Sequence, residues 1–290
     1  MRGPWARDSV FWEVGMCLAQ RCARQCMGPF TAIVLLLLAW PASAQEKELA
    51  AGHPVRVEDA FYVPAGDGSI LATAGLILPN RGARHGLMAL DLQYGLLPRT
   101  QTSFGTVLSS DPPETRDPAS GDLAVAGRVS LNEESLYVPQ VAAQLGVTVP
   151  TGVGSRAVDL ELKGYATKSL TPGLLPLFLH LNASLQARAY ARGDDERLLR
   201  YHVAIGPSFT LPWQAATTVV ADIYLDQAVS RHDRDTVGLE LGARYRLSPL
   251  VAVHAAVGTE VAGPASRAAL FVHAGLGVGF TGPAFGRARP

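Results

Sequence analysis

Nucleophilic chemistry needs at minimum a serine within reach of a histidine, and this sequence offers His180 with either Ser184 or Ser208. His180 and Ser184 share a face of one extended run, but four residues along a strand is roughly 13 Å, far beyond hydrogen-bond reach. Ser208 lies in the next run, where register could bring it to His180, but no nucleophile motif surrounds it. No catalysis is expected. The seven histidines show neither the spacing of a metal-binding helix nor alternate-residue pairs along a strand, so neither metal nor cofactor is expected. Asn182-Ala183-Ser184 matches a glycosylation sequon in mid-run, where the match is fortuitous.

The chemistry that remains is ionic. Asp159, Glu161 and Lys163 alternate along one run, and His180 and Arg188 occupy the next. His202, Asp222, Glu240, Arg244 and His254 follow at the same parity further on. Opposed residues on neighbouring strands stand about 4.5 to 5.5 Å apart at Cβ, so acid and base can pair. These ten residues are the candidate lumen lining. Two readings stay open: ion pairs that fill a narrow interior, with Glu240 and Arg244 at the centre of a network, or a charged wall along a solute path.

The elements that must position these charges are strands. From Val237 the alternate residues are Val237, Leu239, Leu241, Ala243, Tyr245 and Leu247, against Gly238, Glu240, Gly242, Arg244 and Arg246. The pattern returns from Val251 and again from Leu270 to Phe280. Period two means strand. Twelve such segments run at about 69–78, 86–96, 99–107, 121–131, 138–149, 157–168, 175–190, 199–211, 214–226, 235–247, 249–261 and 268–280. Many reach the roughly 9 to 11 residues that a tilted strand needs to cross a bilayer. Connections alternate long with short, and Tyr94, Phe209, Tyr245 and Phe280 fall at one depth on the apolar face. Short periplasmic turns, longer outer loops and an aromatic girdle are the habits of transmembrane barrels. The expected fold is therefore all-β: a single antiparallel up-and-down barrel of about twelve strands, with Gln45 to Gly68 as a periplasmic lead-in whose one patterned piece is Val57 to Val63 and whose end is open to pairing with or plugging the barrel, 69–280 as the barrel and 281–290 as a tail.

The first 44 residues read as a signal peptide. Thr31 to Trp40 is apolar and too short to span a membrane as a helix; Arg21 and Arg24 precede it, and Pro41-Ala42-Ser43-Ala44 follows with small residues where a signal peptidase reads. Cleavage is expected before Gln45, and initiation at Met16 would spare the acidic leading end. All three cysteines, Cys17, Cys22 and Cys26, lie in this presequence, so the mature chain has no thiol chemistry, in keeping with an oxidising compartment. Of 25 basic and 25 acidic residues, the presequence holds four arginines and two acids, leaving 21 and 23. Nothing there suggests a nucleic-acid partner. Export plus barrel points to the outer membrane of a Gram-negative bacterium, with outer-membrane lipid and the barrel-assembly machinery as partners.

Leu145-Gly146-Val147-Thr148-Val149-Pro150-Thr151-Gly152, a strand running into an outer turn, resembles the signature of the outer-membrane barrels of the meta-pathway of phenol degradation family. Arg200 to Gly206, the acid-bearing Val220-Ala221-Asp222 and Gly242 to Pro249 follow that family's order. The resemblance covers about Leu123 to Phe280. It implies a passive channel or uptake role for small hydrophobic or aromatic solutes; a closed structural or surface-interaction barrel is the alternative. One departure is the tail: such barrels commonly finish on an aromatic that the assembly machinery reads, whereas Thr281 to Pro290 follow Phe280 here.

Overall fold

In the computed structural model, which describes residues 55–109, 121–152, 157–170, 177–189, 195–264 and 268–283, the alternating segments form a closed barrel. The twelve strands are β1 (Asp67–Pro79), β2 (His85–Leu97), β3 (Thr100–Ser109), β4 (Leu123–Ser130), β5 (Gln140–Val149), β6 (Asp159–Ser169), β7 (Leu177–Arg188), β8 (Leu199–Leu211), β9 (Gln214–Asp226), β10 (Thr236–Ser248), β11 (Val251–Ala262) and β12 (Ala268–Thr281). Each pairs antiparallel with its sequence neighbours, and β1 closes on β12 from Asp67↔Thr281 to Pro79↔Ala268. Closure leaves no edge of unpaired backbone, the condition for a sheet to stand in hydrocarbon. Residues 1–54, with the three cysteines and the expected signal peptide and cleavage site, and the tail from residue 284 lie outside the described residues.

The barrel is inverted relative to a water-soluble one. Leu145, Leu162 and Leu241 on the outer face are 65%, 56% and 54% exposed, while inward Glu240, Asp222 and Asn182 are 5%, 5% and 0% exposed. Leucines left so bare to water would forgo about 25 cal/mol per Å² of burial; against acyl chains they lose nothing. The outer face is a membrane surface.

At the end where β1 begins and β12 finishes, here the near end, Tyr94 of β2 stacks on Phe280 of β12 with ring centroids 6.3 Å apart and planes 12° from parallel. Both oppose Gly68, the residue between them on β1. A Cβ on Gly68 would lie inside the Phe280 ring, so the glycine lets the two aromatics close over the seam. Phe209 and Tyr245 are exposed towards the same end of their strands. The aromatic girdle thus has the depth read from the sequence.

The end of the lead-in plugs the barrel: residues 55–66 lie inside it, hydrogen-bonded to inward side chains of its wall. They run from the far third, where Arg56 meets Glu240 and Asp226, back to the near end, where Gly66 N donates to Gly95 O at 2.8 Å. There the chain reverses into β1 through Asp67 N donating to Pro64 O at 2.9 Å, with Gly66 at φ 86°, a left-handed position that favours glycine. The physical reason is charge: the wall carries ionic groups that a water-filled gap or a partner must satisfy, and this segment is the partner.

Candidate functional site

The site is the lumen with its resident segment. Strand pleating turns alternate residues inward, and the segment's backbone is read by those side chains one strand at a time. Asp222 on β9 accepts from Val57 N at 2.7 Å. Asn182 on β7 forms a two-way pair with Glu58, accepting from its N at 2.5 Å and donating to its O at 2.9 Å. Thr167 on β6 accepts from Ala60 N at 2.8 Å, Gln140 on β5 donates to Ala60 O at 3.2 Å, and Gln101 on β3 accepts from Val63 N at 3.0 Å. An irregular backbone buried without sheet partners would lose several hydrogen bonds. Here the wall supplies them, so the segment is held without being a strand.

Two ion clusters fix it at different depths. At the far one, Arg56 Nε donates to Glu240 Oε1 at 3.0 Å and Arg56 N to Oε2 at 2.8 Å. The same guanidinium pairs with Asp226, which also takes His202 Nδ1, and lies 3.9 Å over the Tyr224 ring. At the near cluster Glu58 bridges Lys163 Nζ, 2.5 Å away, and Arg128 Nη2. Arg128 sits 3.9 Å and Lys163 5.0 Å from the Tyr165 ring centroid. Cation–π contacts of this kind are worth about 2 kcal/mol when desolvated. Burial by itself would raise the Glu58 carboxyl, but the Lys163 ammonium and Arg128 guanidinium outweigh it and hold it at about 2.

The ten candidate residues all lie on the inward parity but do not form one group. Asp159 takes a two-pronged bond from Arg188, at 2.9 and 3.0 Å, across β6 and β7. Glu161 sits on that strand opposite Gly146 and Gln186, and Lys163 turns to Glu58. His202 joins the Asp226 cluster. Asp222 and Glu240 face each other across β9 and β10, and both hold the lumen segment. Arg244 lies opposite Thr218 and His254; His254 Nε2 is 3.2 Å from Thr73 Oγ1 and edge-on to His273. The network expected around Glu240 and Arg244 is therefore re-centred. Both project from one strand, four residues and about 13 Å apart, and Glu240 is satisfied by Arg56 instead.

Register does bring Ser208 to His180, with Oγ 2.7 Å from Nε2, and Thr167 Oγ1 lies 3.0 Å from Nδ1. A hydroxyl stands where a carboxylate would orient a general base, and Thr167 is itself engaged by Ala60 N. His180, Ser208 and Thr167 are 2%, 4% and 0% exposed. The trio is a buried hydrogen-bond relay that fixes Ala60. Among the described residues no group of three or more His, Cys, Asp or Glu is placed to hold a metal ion.

The sequence reading missed Arg56, Glu58, Tyr165 and Tyr224. The tyrosines lie on the inward parity and could have been noticed there. The patterned Val57-Glu58-Asp59-Ala60-Phe61-Tyr62-Val63 was the only hint of the segment.

No protein-family model matches this chain, and no curated protein matches it. Solved structures do. An outer membrane channel from Pseudomonas putida F1 aligns with a TM-score of 0.59 at 14% identity, over 78% of this chain and 100% of that one. The NanC porin gives 0.52 at 12%, over 73% and 99%, and the KdgM porin in complex with disordered oligogalacturonate gives 0.51 at 10%, over 73% and 99%. At such identity the likeness is one of fold, and the shared fold is the closed antiparallel β-barrel that these outer-membrane proteins adopt.

Proposed function

We propose that this protein is an outer-membrane passive channel or uptake protein for small hydrophobic or aromatic solutes, exported with cleavage near Ala44, whose lumen is held shut by residues 55–66. The observation that carries it is the character of the closure: the described segment is attached through side-chain hydrogen bonds, ion pairs and packing, all reversible. Moving it aside would bare an apolar patch of wall formed by Ala204, Val220, Tyr224, Ala256 and Phe271, now covered by Val55 and Val57. A concave apolar surface with a few placed polar groups suits a small apolar ligand. The resemblance of residues 145–152 and 242–249 to the meta-pathway barrels supports the aromatic class.

The competing reading is a closed structural barrel. It is favoured by how completely the segment's backbone is hydrogen-bonded, and twelve strands enclose far less space than the 16 to 18 of large porins. Liposome swelling with aromatic and sugar solutes separates the two, using the full-length protein and a variant lacking residues 46–62. Heat-modifiable migration on detergent gels establishes that each is folded. Swelling with small aromatics, faster in the shortened variant, is expected. Folded protein that passes no solute in either form would establish the closed barrel.

A further inference from the structure

Arg128 on β4, Gln144 on β5 and Lys163 on β6 stand in one cross-strand row, each directly opposite the next. Gln144 Oε1 accepts from Tyr165 OH at 2.9 Å and from Arg128 Nε at 3.3 Å, so the row and the ring beneath it are fixed by the wall itself. The side chains of Arg128 and Lys163 are only 5% and 12% exposed. Two cations flanking one amide at such burial require an anion. Among the described residues neither forms a salt bridge with a strand carboxylate; the carboxylate that joins them belongs to Glu58. The wall's charge is thus completed by whatever occupies the lumen. Val57, next in the chain to Glu58, packs in the apolar cluster with Val220, Tyr224 and Phe271. An occupant that satisfies both regions presents a carboxylate beside an apolar body.

We propose that Arg128 and Lys163, set over Tyr165, form a binding seat for the carboxylate of an amphipathic solute, an aromatic or short acyl carboxylate, for which Glu58 and Val57 are the resident substitutes. The proposal rests on the channel reading for how a solute reaches the lumen, and it narrows the solute class. A neutral apolar molecule cannot replace Glu58, because it would leave two buried cations without an ion-paired carboxylate. Two carboxylates cannot share the seat, so binding of solute and docking of Glu58 are mutually exclusive, and an anionic solute loosens the segment that blocks its path.

The test is chemical rescue of full-length Glu58→Ala protein in detergent micelles. Acetate and benzoate are the probes, acetamide and benzamide their neutral counterparts. E58A should unfold at a lower temperature than wild type, and acetate should restore the midpoint saturably while acetamide does not. Benzoate should bind E58A about tenfold more tightly than wild type, the scale of one hydrogen bond to a charged group. Adding Lys163→Met should abolish the carboxylate effect. An equal response to benzoate and benzamide, or a benzoate response that survives in E58A/K163M, would overturn the proposal. If E58A does not fold, E58Q carries the same comparison, since the amide keeps the shape and loses the charge. Because binding is read without flux, the two readings fail separately. A barrel that binds benzoate but passes no solute refutes the channel and keeps the seat, and one that passes solutes without binding benzoate does the reverse.

Discussion

Breaking the far anchor of the lumen segment should cost unequal amounts according to which partner is removed. Glu240, with its side chain 2% exposed, holds two hydrogen bonds from Arg56, whose side chain is 38% exposed. In Arg56→Met, Glu240 is left buried and faces Asp222 across the β9 and β10 pair, two acids without their cation. Losing one partner of a buried pair typically costs about 3 to 5 kcal/mol. Solvent reaching Arg56 screens part of this, so about 2 to 3 kcal/mol is expected. In Glu240→Gln, Arg56 keeps Asp226 and its place over Tyr224, and the amide oxygen still accepts the Arg56 N–H, so about 1 kcal/mol is expected. The double variant should fall short of the sum by about 1 kcal/mol, the coupling of residues in direct contact. The assay is amide hydrogen exchange at Val57, Glu58 and Ala60 in micelles, which reports local opening of the segment without unfolding the barrel. Arg56→Met should speed exchange by roughly 30- to 150-fold and Glu240→Gln by about fivefold. Equal and additive effects, or no acceleration at these amides, would refute the anchoring role.

A Cβ on Gly238 would lie inside the Tyr224 ring, so Gly238→Val should push that ring from beneath Arg56 and lower urea stability by about 2 to 3 kcal/mol. Gly127→Ala, where nothing lies within 4 Å of the added atom, should stay within about 0.5 kcal/mol of wild type. The Glu58 carboxyl is held at about 2 against an ordinary value of 4.5. A depressed carboxylate contributes stability that is fully present above its unfolded value and lost as pH falls through the folded one. The unfolding midpoint should therefore lose this contribution between pH 4.5 and about 2, and E58Q should remove that part of the pH dependence.

How much of this was legible in the sequence depends on the range of the forces involved. The direction in which a strand residue points is a local property with a period of two, so Leu239 outward and Glu240 inward could be read from neighbours alone. The twelve segments followed, with bounds within two residues of those observed, as did the depth of Tyr245 and Phe280. The partner of an inward charge is not local. It depends on the register between strands and on the path of a segment that belongs to none of the twelve strands. Glu240 and Arg244 share a strand and a parity, and parity alone suggested one network. Arg56 reaches Glu240 across 184 positions of sequence, because the lead-in folds back up the barrel it precedes. Register also decided that Ser208 touches His180, and the hydroxyl of Thr167 decided that the contact is a relay. Tyr165 and Tyr224 looked like ordinary inward residues until tertiary structure laid Arg128 and Arg56 across their faces. Alternation along the chain therefore determined the barrel and which side of it is wet; closure of the ring around its own leading segment, which sets buried charges against each other at distances no local pattern encodes, decided what fills it.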